Sequence, residues 1–188
     1  VGILYEKGKV NTFKNIHENF PLMLSVLCNE YKVKQFIHLS ALGIEQAIDS
    51  NYALSKVNGE NLIRENFNYS TILKPSVVYS VDDNFTTNFM TLLNRLPIFP
   101  LYYGGQTNFM PIYCSDLTNI IFNIIHKEIN SKTIECIGPE KINLKNILNR
   151  LLNLIDKKRL LLPMPLILSK LSSSFFELFP KPLITNDQ

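Results

Sequence analysis

The feature that most constrains the fold is an apolar strand that ends in small residues and is followed by a helix and a second strand. Residues 35–43 read Gln-Phe-Ile-His-Leu-Ser-Ala-Leu-Gly, which predicts a buried strand. A loop ending at Ser50 then supplies a cap for a helix that carries Tyr52 and Lys56, and residues 69–79 form another β-rich run. This order predicts an α/β fold, in which ligand-contacting groups lie at the carboxyl ends of parallel strands.

Tyr52 and Lys56 are four residues apart, so a helix places both side chains one turn apart on the same face. A phenol near an ammonium suits proton transfer, because the cation lowers the pKa of the phenol. Tyr5 and Lys9 share this spacing, but Gly8 separates them at the exit of a predicted strand, and we interpret that match as coincidence. The alternative for Tyr52 and Lys56 is an ordinary amphipathic helix face.

Other polar side chains of this region have structural interpretations. His38 lies within the strand, without a carboxylate or a second histidine beside it, which indicates a packed histidine. Glu60 and Arg64 are expected to form an ion pair on the flank of the helix. The three cysteines have no metal-ligand spacing, which predicts buried thiols, a reducing compartment and no metal site.

Composition indicates a packed protein and argues against nucleic-acid binding. The chain has 188 residues, 46% hydrophobic and 19% charged, enough for one domain with a small lobe. Its net charge of +3 comes from 19 basic and 16 acidic residues without a long run of either sign. The most apolar run, residues 160–168, contains two prolines and is shorter than the ~20 residues that span a bilayer, so no transmembrane helix is predicted.

The first residues predict that the chain begins within a fold. Val1 to Leu4 reads as a buried strand with no leader before it. Residues 13–31 then place apolar side chains at helical spacing, and Pro21 is expected to kink this helix.

The second half predicts a smaller lobe that closes over substrate. A helix at about residues 86–95 precedes a loop at 96–100, and Ser115 or Asp116 is expected to cap a strongly apolar helix rather than act as an acid. A strand is expected at 133–137.

The end of the chain predicts two further helices. Asn143 is expected to cap the first, and residues 165–179 form the second, with leucine, isoleucine and phenylalanine at helical spacing. With basic residues nearby, this last helix is either a docking helix of the lobe or a surface for peripheral membrane or protein contact.

Taken in order, these blocks resemble a known family. The strand, Ser-Ala-Leu-Gly, the Tyr-x-x-x-Lys helix and Ile-Leu-Lys-Pro-Ser-Val-Val-Tyr at 72–79 are similar to the second half of a short-chain dehydrogenase/reductase. The resemblance is closest to atypical members of the extended branch that include the NAD(P)H-binding accessory subunit of respiratory complex I and its bacterial relatives. It continues through Tyr-Gly-Gly-Gln-Thr-Asn-Phe-Met-Pro-Ile-Tyr at 103–113 and Leu-Pro-Met-Pro at 162–165.

The resemblance implies the C-terminal part of a Rossmann-like doubly wound parallel sheet, with residues 1–85 in the partial dinucleotide-binding domain and residues 86–188 in a small α/β lobe interleaved with it. It implies that the phenol of Tyr52 transfers a proton and that Lys56 holds the nicotinamide ribose and depresses the tyrosine pKa. Ser40 is the nearest hydroxyl for the third catalytic role, although Ala41 is the position that aligns with it.

The resemblance also implies NAD or NADP as cofactor. Pro75, Ser76 and Val77 would flank the nicotinamide ring. The family binds the cofactor phosphates with a glycine-rich strand-to-helix turn, and the seven glycines of this sequence form no such motif. The chain is therefore expected to lack the half that grips the phosphates, and a separately encoded N-terminal half is an expected partner.

Two functions remain open at this stage. The first is a non-catalytic or truncated accessory or assembly subunit related to NADH:ubiquinone oxidoreductase, in the cytoplasm or a matrix-like compartment, peripheral to the inner membrane, with respiratory-complex subunits as partners. The second is an NAD(P)-dependent reductase or nucleotide-sugar epimerase that uses Tyr52 and Lys56.

Overall fold

The computed structural model describes residues 2–164, which form two compact units. Unit 1 contains the residues up to Pro75 together with Ser115–Cys136, and unit 2 contains Ser76–Cys114 and residues 137–164.

In chain order the helices are α1 (Phe20–Glu30), α2 (Asn51–Asn66), α3 (Asn84–Arg95), α4 (Cys114–His126) and α5 (Leu144–Leu154). The strands are β1 (Phe36–Leu39), β2 (Ser70–Pro75), β3 (Val78–Tyr79), β4 (Ile98–Leu101), β5 (Asn108–Phe109), β6 (Ile112–Tyr113), β7 (Thr133–Cys136), β8 (Ile142–Asn143) and β9 (Leu160–Pro163).

Unit 1 is built on a parallel three-stranded sheet in the order β1-β2-β7. The central strand β2 is almost entirely buried, as a strand between two parallel neighbours has to be. Helix α2 connects β1 to β2, so the strand–helix–strand order predicted from residues 35–79 is confirmed. The carboxyl ends of β1 and β2 lie side by side, with Leu39 opposite Leu73.

The prediction of a strand at the start of the chain is wrong for residues 2–4. These residues are irregular, and Leu4 is exposed. The backbone N–H of Ile3 donates to Nε2 of the buried His17 at 3.1 Å, so a side chain takes the hydrogen bond that a neighbouring strand would have accepted.

The predicted helix at residues 13–31 changes geometry before Pro21. Residues Lys14–Asn19 form a π-helical turn, and α1 begins after it with Pro21 in its first turn. Proline is tolerated there because the first N–H groups of an α-helix have no partner within the helix. The break that Pro21 was expected to make is therefore a junction between two helical forms.

Close packing against α2 depends on Gly59. A Cβ atom at this position would lie 1.9 Å from the backbone oxygen of His17 and 3.6 Å from Cγ of Pro21. Only a residue without a side chain lets the two helical segments approach this closely. This contact holds the π-helical turn against the helix that carries Tyr52 and Lys56.

Unit 2 has a core formed by α3, α5 and the parallel pair β4–β9. Its fully or nearly buried members are Leu93, Phe99, Leu101, Ile142, Ile147, Leu148, Leu151 and Leu152. Helix α3 begins two residues before the predicted position, behind the cap Asp83, and the predicted cap Asn143 is confirmed by its side chain accepting from the N–H of Asn146 at 2.8 Å.

Three expectations for the second half are corrected. Residues 98–101 form β4, where a loop was expected, because they pair with β9, a strand that was not predicted. Helix α4 begins at Cys114, so Ser115 and Asp116 lie inside its first turn and not at the cap. The expected helix at 165–179 lies outside the described residues.

No helix within residues 2–164 is long and apolar enough to cross a membrane.

Candidate functional site

The helix that carries the predicted site begins where the sequence indicated. Oγ of Ser50 accepts a hydrogen bond from the N–H of Ala53 at 3.1 Å, which confirms the predicted cap. Tyr52 is in the first turn of α2 and is half-buried, and Lys56 follows one turn later on the buried face. The cap thus fixes the rotation of the helix that points both groups inward.

Lys56 reaches the carboxyl end of β1. Its side chain is buried, with 6% of the residue exposed, and Nζ donates to the backbone oxygen of Leu39 at 3.1 Å. Burial lowers the pKa of Lys56, and the negative charge of Glu60 partly opposes this. The ammonium group therefore already has a hydrogen-bond acceptor, the backbone carbonyl at the strand end.

Ser40 follows Leu39 and is also buried, with 6% exposed. Its N–H donates to the backbone oxygen of Leu73 at 2.8 Å, which continues the sheet ladder, but its Oγ has no hydrogen-bond partner within residues 2–164. A buried hydroxyl without a partner costs about 1–3 kcal/mol. The neighbouring Ala41 offers no hydroxyl, so Ser40 is the side-chain O–H group of this strand end that can accept a new partner.

The phenol ring of Tyr52 packs among aromatic rings. It lies edge-on to Phe13 and to His17, with centroid distances of 6.0 and 5.4 Å. Burial raises the pKa of the Tyr52 phenol, which is the opposite of the lowering that the resemblance implied. The cause is the removal of water from around the phenol, which disfavours its charged form.

His17 is a buried group that the sequence reasoning missed. Because Nε2 accepts from the N–H of Ile3, the proton of the neutral ring lies on Nδ1, which donates to Oγ of Ser55 at 2.9 Å. Ser55 in turn donates to the backbone oxygen of Tyr52 at 2.8 Å. Burial, followed by the positive charge of Lys56, lowers the pKa of His17 to about 4, so the ring is neutral near pH 7. The sequence signal for His17 is its four-residue spacing from Phe13, which indicates only that the two rings pack on the same helix face.

A buried ionic cluster follows Lys56 along α2. Glu60 is only 2% exposed, and its Oε2 lies 3.0 Å from Nζ of Lys74 and 3.4 Å from Nη2 of Arg64. The predicted pair between Glu60 and Arg64 is confirmed, whereas the role of Lys74, which also pairs with Glu45, was not predicted. Oε1 of Glu60 has no hydrogen-bond partner in the described part of the chain.

The structure brings Ser40, Lys56 and Pro75 to one edge of the sheet of unit 1. Pro75 ends β2, and its backbone oxygen accepts from the N–H of Leu42 at 3.0 Å, just beyond the end of β1. Ser76 and Val77 belong to unit 2. There Oγ of Ser76 accepts from the N–H of Met110 at 3.4 Å, and the oxygen of Val77 accepts from the N–H of Ile112 at 2.9 Å.

His38, the other histidine discussed above, lies within β1 and is half-buried. Burial and the charge of Lys56 lower its pKa to about 4.

Among residues 2–164, no group of three or more histidine, cysteine, aspartate or glutamate side chains could hold a metal ion.

The described residues fit only one end of a nicotinamide dinucleotide. The unpartnered hydroxyl of Ser40 offers a hydrogen bond at the strand end, where Lys56 of α2 contacts the carbonyl of Leu39, and Tyr52 lies one turn before Lys56 on the same helix. The sequence has no glycine-rich turn that could cradle the phosphates. Residues 2–164 therefore offer polar groups of the kind that the nicotinamide–ribose end needs, and they offer no glycine-rich turn for the phosphates.

Comparison with known sequences identifies respiratory-complex subunits as relatives, although no family model matches the chain. The mouse protein NADH dehydrogenase [ubiquinone] 1 alpha subcomplex subunit 9, mitochondrial, is 25% identical over 178 residues, which are 94% of this chain and 47% of that protein. The Dictyostelium discoideum protein of the same name is 30% identical over 109 residues, 57% of this chain and 30% of that protein. The chain spans about half the length, or less, of the curated relatives it matches.

Solved structures confirm the fold class. A dTDP-4-dehydrorhamnose reductase from Bacillus anthracis in complex with NADP has a TM-score of 0.69 at 15% identity, covering 87% of this chain and 64% of that one. A UDP-glucuronic acid 4-epimerase from Bacillus cereus with UDP-glucuronic acid and NAD has a TM-score of 0.69 at 20% identity, covering 85% and 57%. The fold is thus that of the Rossmann-like short-chain dehydrogenases/reductases, and the resemblance to the complex I accessory subunit is confirmed.

Proposed function

We propose that this chain, a sequence relative of the complex I subunit 9 proteins with a short-chain dehydrogenase/reductase fold, is part of an NAD(P)-binding accessory subunit that does not turn over substrate. The observation that carries the proposal is the bond from Nζ of Lys56 to the oxygen of Leu39, in a buried environment. An ammonium held in this way contributes to the structure of the strand end. The relatives named above are mitochondrial respiratory-complex subunits, which supports a place on the matrix side of the inner membrane with other subunits of such a complex as partners.

Three features of the site support a non-catalytic role. Burial raises the pKa of Tyr52, which makes its proton harder to remove near neutral pH. Ala41 occupies the position that the resemblance assigns to the catalytic hydroxyl, so a donor to a substrate carbonyl is lost. Lys56 has its ammonium on a backbone oxygen.

A nicotinamide cofactor would be held at its ribose end by Tyr52 and Lys56, with Pro75, Ser76 and Val77 beside the ring. When bound, such a cofactor supplies hydride transfer. The phosphate contacts would come from residues outside this sequence, in a complementing segment that carries a glycine-rich strand-to-helix turn.

The surface of unit 1 supports such a complementing partner. Within residues 2–164, β1 has a strand neighbour on one side only. The N–H groups of Ser40 and Leu42 donate toward β2, so the alternate residue Ile37 directs its backbone groups to the other edge. Several apolar side chains of α1 are also exposed: Met23, Val26 and Leu27. An open parallel edge and an exposed apolar helix face in the same unit suit the addition of a strand and a helix from a partner.

Isothermal titration tests the proposal. We expect the chain alone to bind NADPH with a Kd weaker than ~1 mM, and to reach micromolar affinity only after co-expression with a complementing polypeptide that carries the glycine-rich turn. Lys56→Met in the complex should weaken binding, whereas Lys158→Met, an exposed control, should not. Micromolar binding by the chain alone, unchanged by the partner, would contradict the proposal.

A second function, an NAD(P)-dependent reductase or nucleotide-sugar epimerase, is favoured by one observation. The buried Oγ of Ser40 has no partner in the described residues and lies next to the Leu39 carbonyl that Lys56 contacts, as a substrate-binding hydroxyl would. The test is turnover of sugar nucleotides with NADPH by the complex. Activity that Tyr52→Phe abolishes and Tyr69→Phe, at an exposed tyrosine, leaves intact would establish this function and exclude the non-catalytic one.

A further inference from the structure

Three aromatic rings meet in unit 1 where the helical segment at residues 13–19 packs against the first turn of α2. The ring of His17 is stacked on the ring of Phe13, with centroids 5.5 Å apart and an interplanar angle of 19°. The Tyr52 ring is inclined by 87° to His17 and by 74° to Phe13. Edge-to-face contacts favour particular ring orientations. The orientation of the His17 ring therefore affects where the Tyr52 phenol points.

Hydrogen bonds fix the rotation of the His17 ring. Nε2 accepts from the N–H of Ile3 at 3.1 Å, and Nδ1 donates to Oγ of Ser55 at 2.9 Å. A ring that is bonded at both nitrogens loses both bonds when it turns about its Cβ–Cγ bond, whereas a phenylalanine ring at this position would turn without such a loss. His17 thus presents a fixed edge to Tyr52.

The same hydrogen bonds reach the backbone of Tyr52. Oγ of Ser55 accepts from His17 and donates its own O–H to the backbone oxygen of Tyr52 at 2.8 Å. His17 therefore contacts the tyrosine twice, directly at the ring and through Ser55 at the main chain.

The backbone of His17 is held against α2 as well. A Cβ atom at Gly59 would lie 1.9 Å from the backbone oxygen of His17, so the two helical segments are in direct contact. Tyr52, Ser55 and Gly59 are spaced three and four residues apart and share one face of α2. The π-helical turn Lys14–Asn19 brings His17 to this face, and such turns occur frequently at functional sites.

We propose that His17 is a positioning residue of the candidate site, which holds the Tyr52 ring in the orientation from which its phenol contacts a bound ligand. The identity of that ligand, the nicotinamide ribose, rests on the proposed function. A binding group has to be held within about 0.5 Å of its contact geometry by neighbours whose own rotamers are locked. His17 meets this requirement because both ring nitrogens are bonded and its backbone is packed.

Ser25 of α1 provides a matched control for Ser55. It is also a buried helical serine, and its Oγ donates to the backbone oxygen three residues earlier, that of Leu22, at 2.8 Å. Ser25→Ala and Ser55→Ala therefore remove the same kind of local hydrogen bond. Ser55→Ala in addition removes the acceptor of the His17 N–H.

Nuclear magnetic resonance of the full chain tests the proposal. In the unmodified protein at pH 7, we expect a single χ1 rotamer for Tyr52 and the Nδ1–H tautomer for His17. Ser55→Ala should give a mixture of Tyr52 rotamers. His17→Phe, which keeps an aromatic ring and removes the hydrogen bonds, should give a mixture as well. Ser25→Ala should leave the single rotamer unchanged.

A second measurement separates this inference from the proposed function. In the complex with a complementing polypeptide, Ser55→Ala should raise the Kd for NADPH about fivefold, the effect of one net hydrogen bond, and Ser25→Ala should not. Mixed Tyr52 rotamers in Ser55→Ala, together with no NADPH binding by the unmodified complex, would support the positioning role and contradict the proposed function.

Two results would overturn the proposal. The first is a single Tyr52 rotamer that Ser55→Ala and His17→Phe both leave unchanged. The second is an Nε2–H tautomer of His17 in the unmodified protein, because that nitrogen could then not accept from Ile3.

Discussion

Helices α2 and α5 are both capped and both bury one face, but they bury different chemistry. The buried residues of α5 are all aliphatic: Ile147, Leu148, Leu151 and Leu152. The buried residues of α2 are small, polar or charged, with a single large apolar member: Ala53, Ser55, Lys56, Gly59, Glu60 and Ile63. The two helices therefore hold their units together by different means.

The difference between these buried faces shows which helix is shaped by stability alone and which is also shaped by another requirement. The face of α5 is what hydrophobic burial alone selects. The face of α2 places Lys56 and Glu60 out of water and leaves Oε1 of Glu60 without a partner in the described residues, and a buried ion pair is often no more stable than an apolar pair of the same volume. We infer that α2 is constrained by a site, which is where the candidate residues lie.

The largest expected effect concerns Gly59, because α2 packs against the backbone of His17 at this glycine. Gly59→Ala would place a Cβ atom 1.9 Å from the oxygen of His17, so the backbones have to separate. We expect a loss of at least ~4 kcal/mol in the free energy of unfolding, or failure to fold. Urea denaturation followed by circular dichroism measures it.

The matched control is Asn61→Ala on an exposed position of α2, where the higher helix propensity of alanine should raise stability by a few tenths of a kcal/mol. Equal stability of Gly59→Ala and Asn61→Ala would mean that α2 does not pack as closely as described.

The second prediction contrasts the ionic and apolar faces. Glu60→Leu should cost about 3 kcal/mol because it removes the buried carboxylate from Lys74, and adding Lys74→Met should restore stability to within about 1 kcal/mol of the unmodified protein. Leu148→Ala in α5 should also cost about 3 kcal/mol, through the cavity it leaves. Chemical denaturation of these variants, and of Lys74→Met alone, measures these values.

The comparison fails if the Glu60 and Lys74 substitutions are additive, that is, if the double variant is less stable than either single one. Additivity would mean that the two charges do not interact across the buried face, and α2 would then differ from α5 only in composition.

Sequence reasoning recovered what is local and missed what depends on distant residues. The strand–helix–strand order, the caps Ser50 and Asn143, and the Glu60–Arg64 pair follow from neighbours a few residues apart. The partnership of Glu60 with Lys74 depends on how α2 packs on β2, which no spacing reveals.

Strand pairing shows the same limit. Prolines on both sides of Ile98 indicated a loop, because proline cannot donate to a ladder. The segment is nevertheless β4, since β9 pairs with it from far along the chain. Tyr52 and Lys56 were predicted as site residues from their spacing, but the direction of the Tyr52 pKa shift depends on burial.

The third prediction is that acidic pH lowers the stability of unit 1 more than that of unit 2. All three histidines of the sequence, at positions 17, 38 and 126, lie in unit 1. The pKa values of His17 and His38 are lowered from 6.5 to about 4, so the folded state binds fewer protons than the unfolded state. Their contribution is complete above pH 6.5 and is lost as pH falls toward 4, by about 2 kcal/mol for each histidine at pH 5.

Hydrogen exchange at pH 7 and pH 5, corrected for intrinsic rates, should therefore show weakened protection in β1 and α2 and little change in α5. His17→Gln, which can still accept from Ile3 and donate to Ser55, should reduce this pH dependence, whereas His126→Gln at an exposed site should not. Equal weakening of α5 would show that the histidines do not act on unit 1 alone.

The smallest expected effect concerns the N-terminal caps, a feature that α2 and α5 share. Ser50→Ala and Asn143→Ala each remove a side-chain oxygen that accepts from the third residue beyond it, Ala53 or Asn146. Each should cost about 1 kcal/mol, because a cap stabilises the exposed end of a helix independently of its buried face. Denaturation midpoints of both variants measure this. A cost at Ser50 two or more times that at Asn143 would show that the cap of α2 also orients Tyr52 and Lys56, and that the site constrains this helix from its first turn.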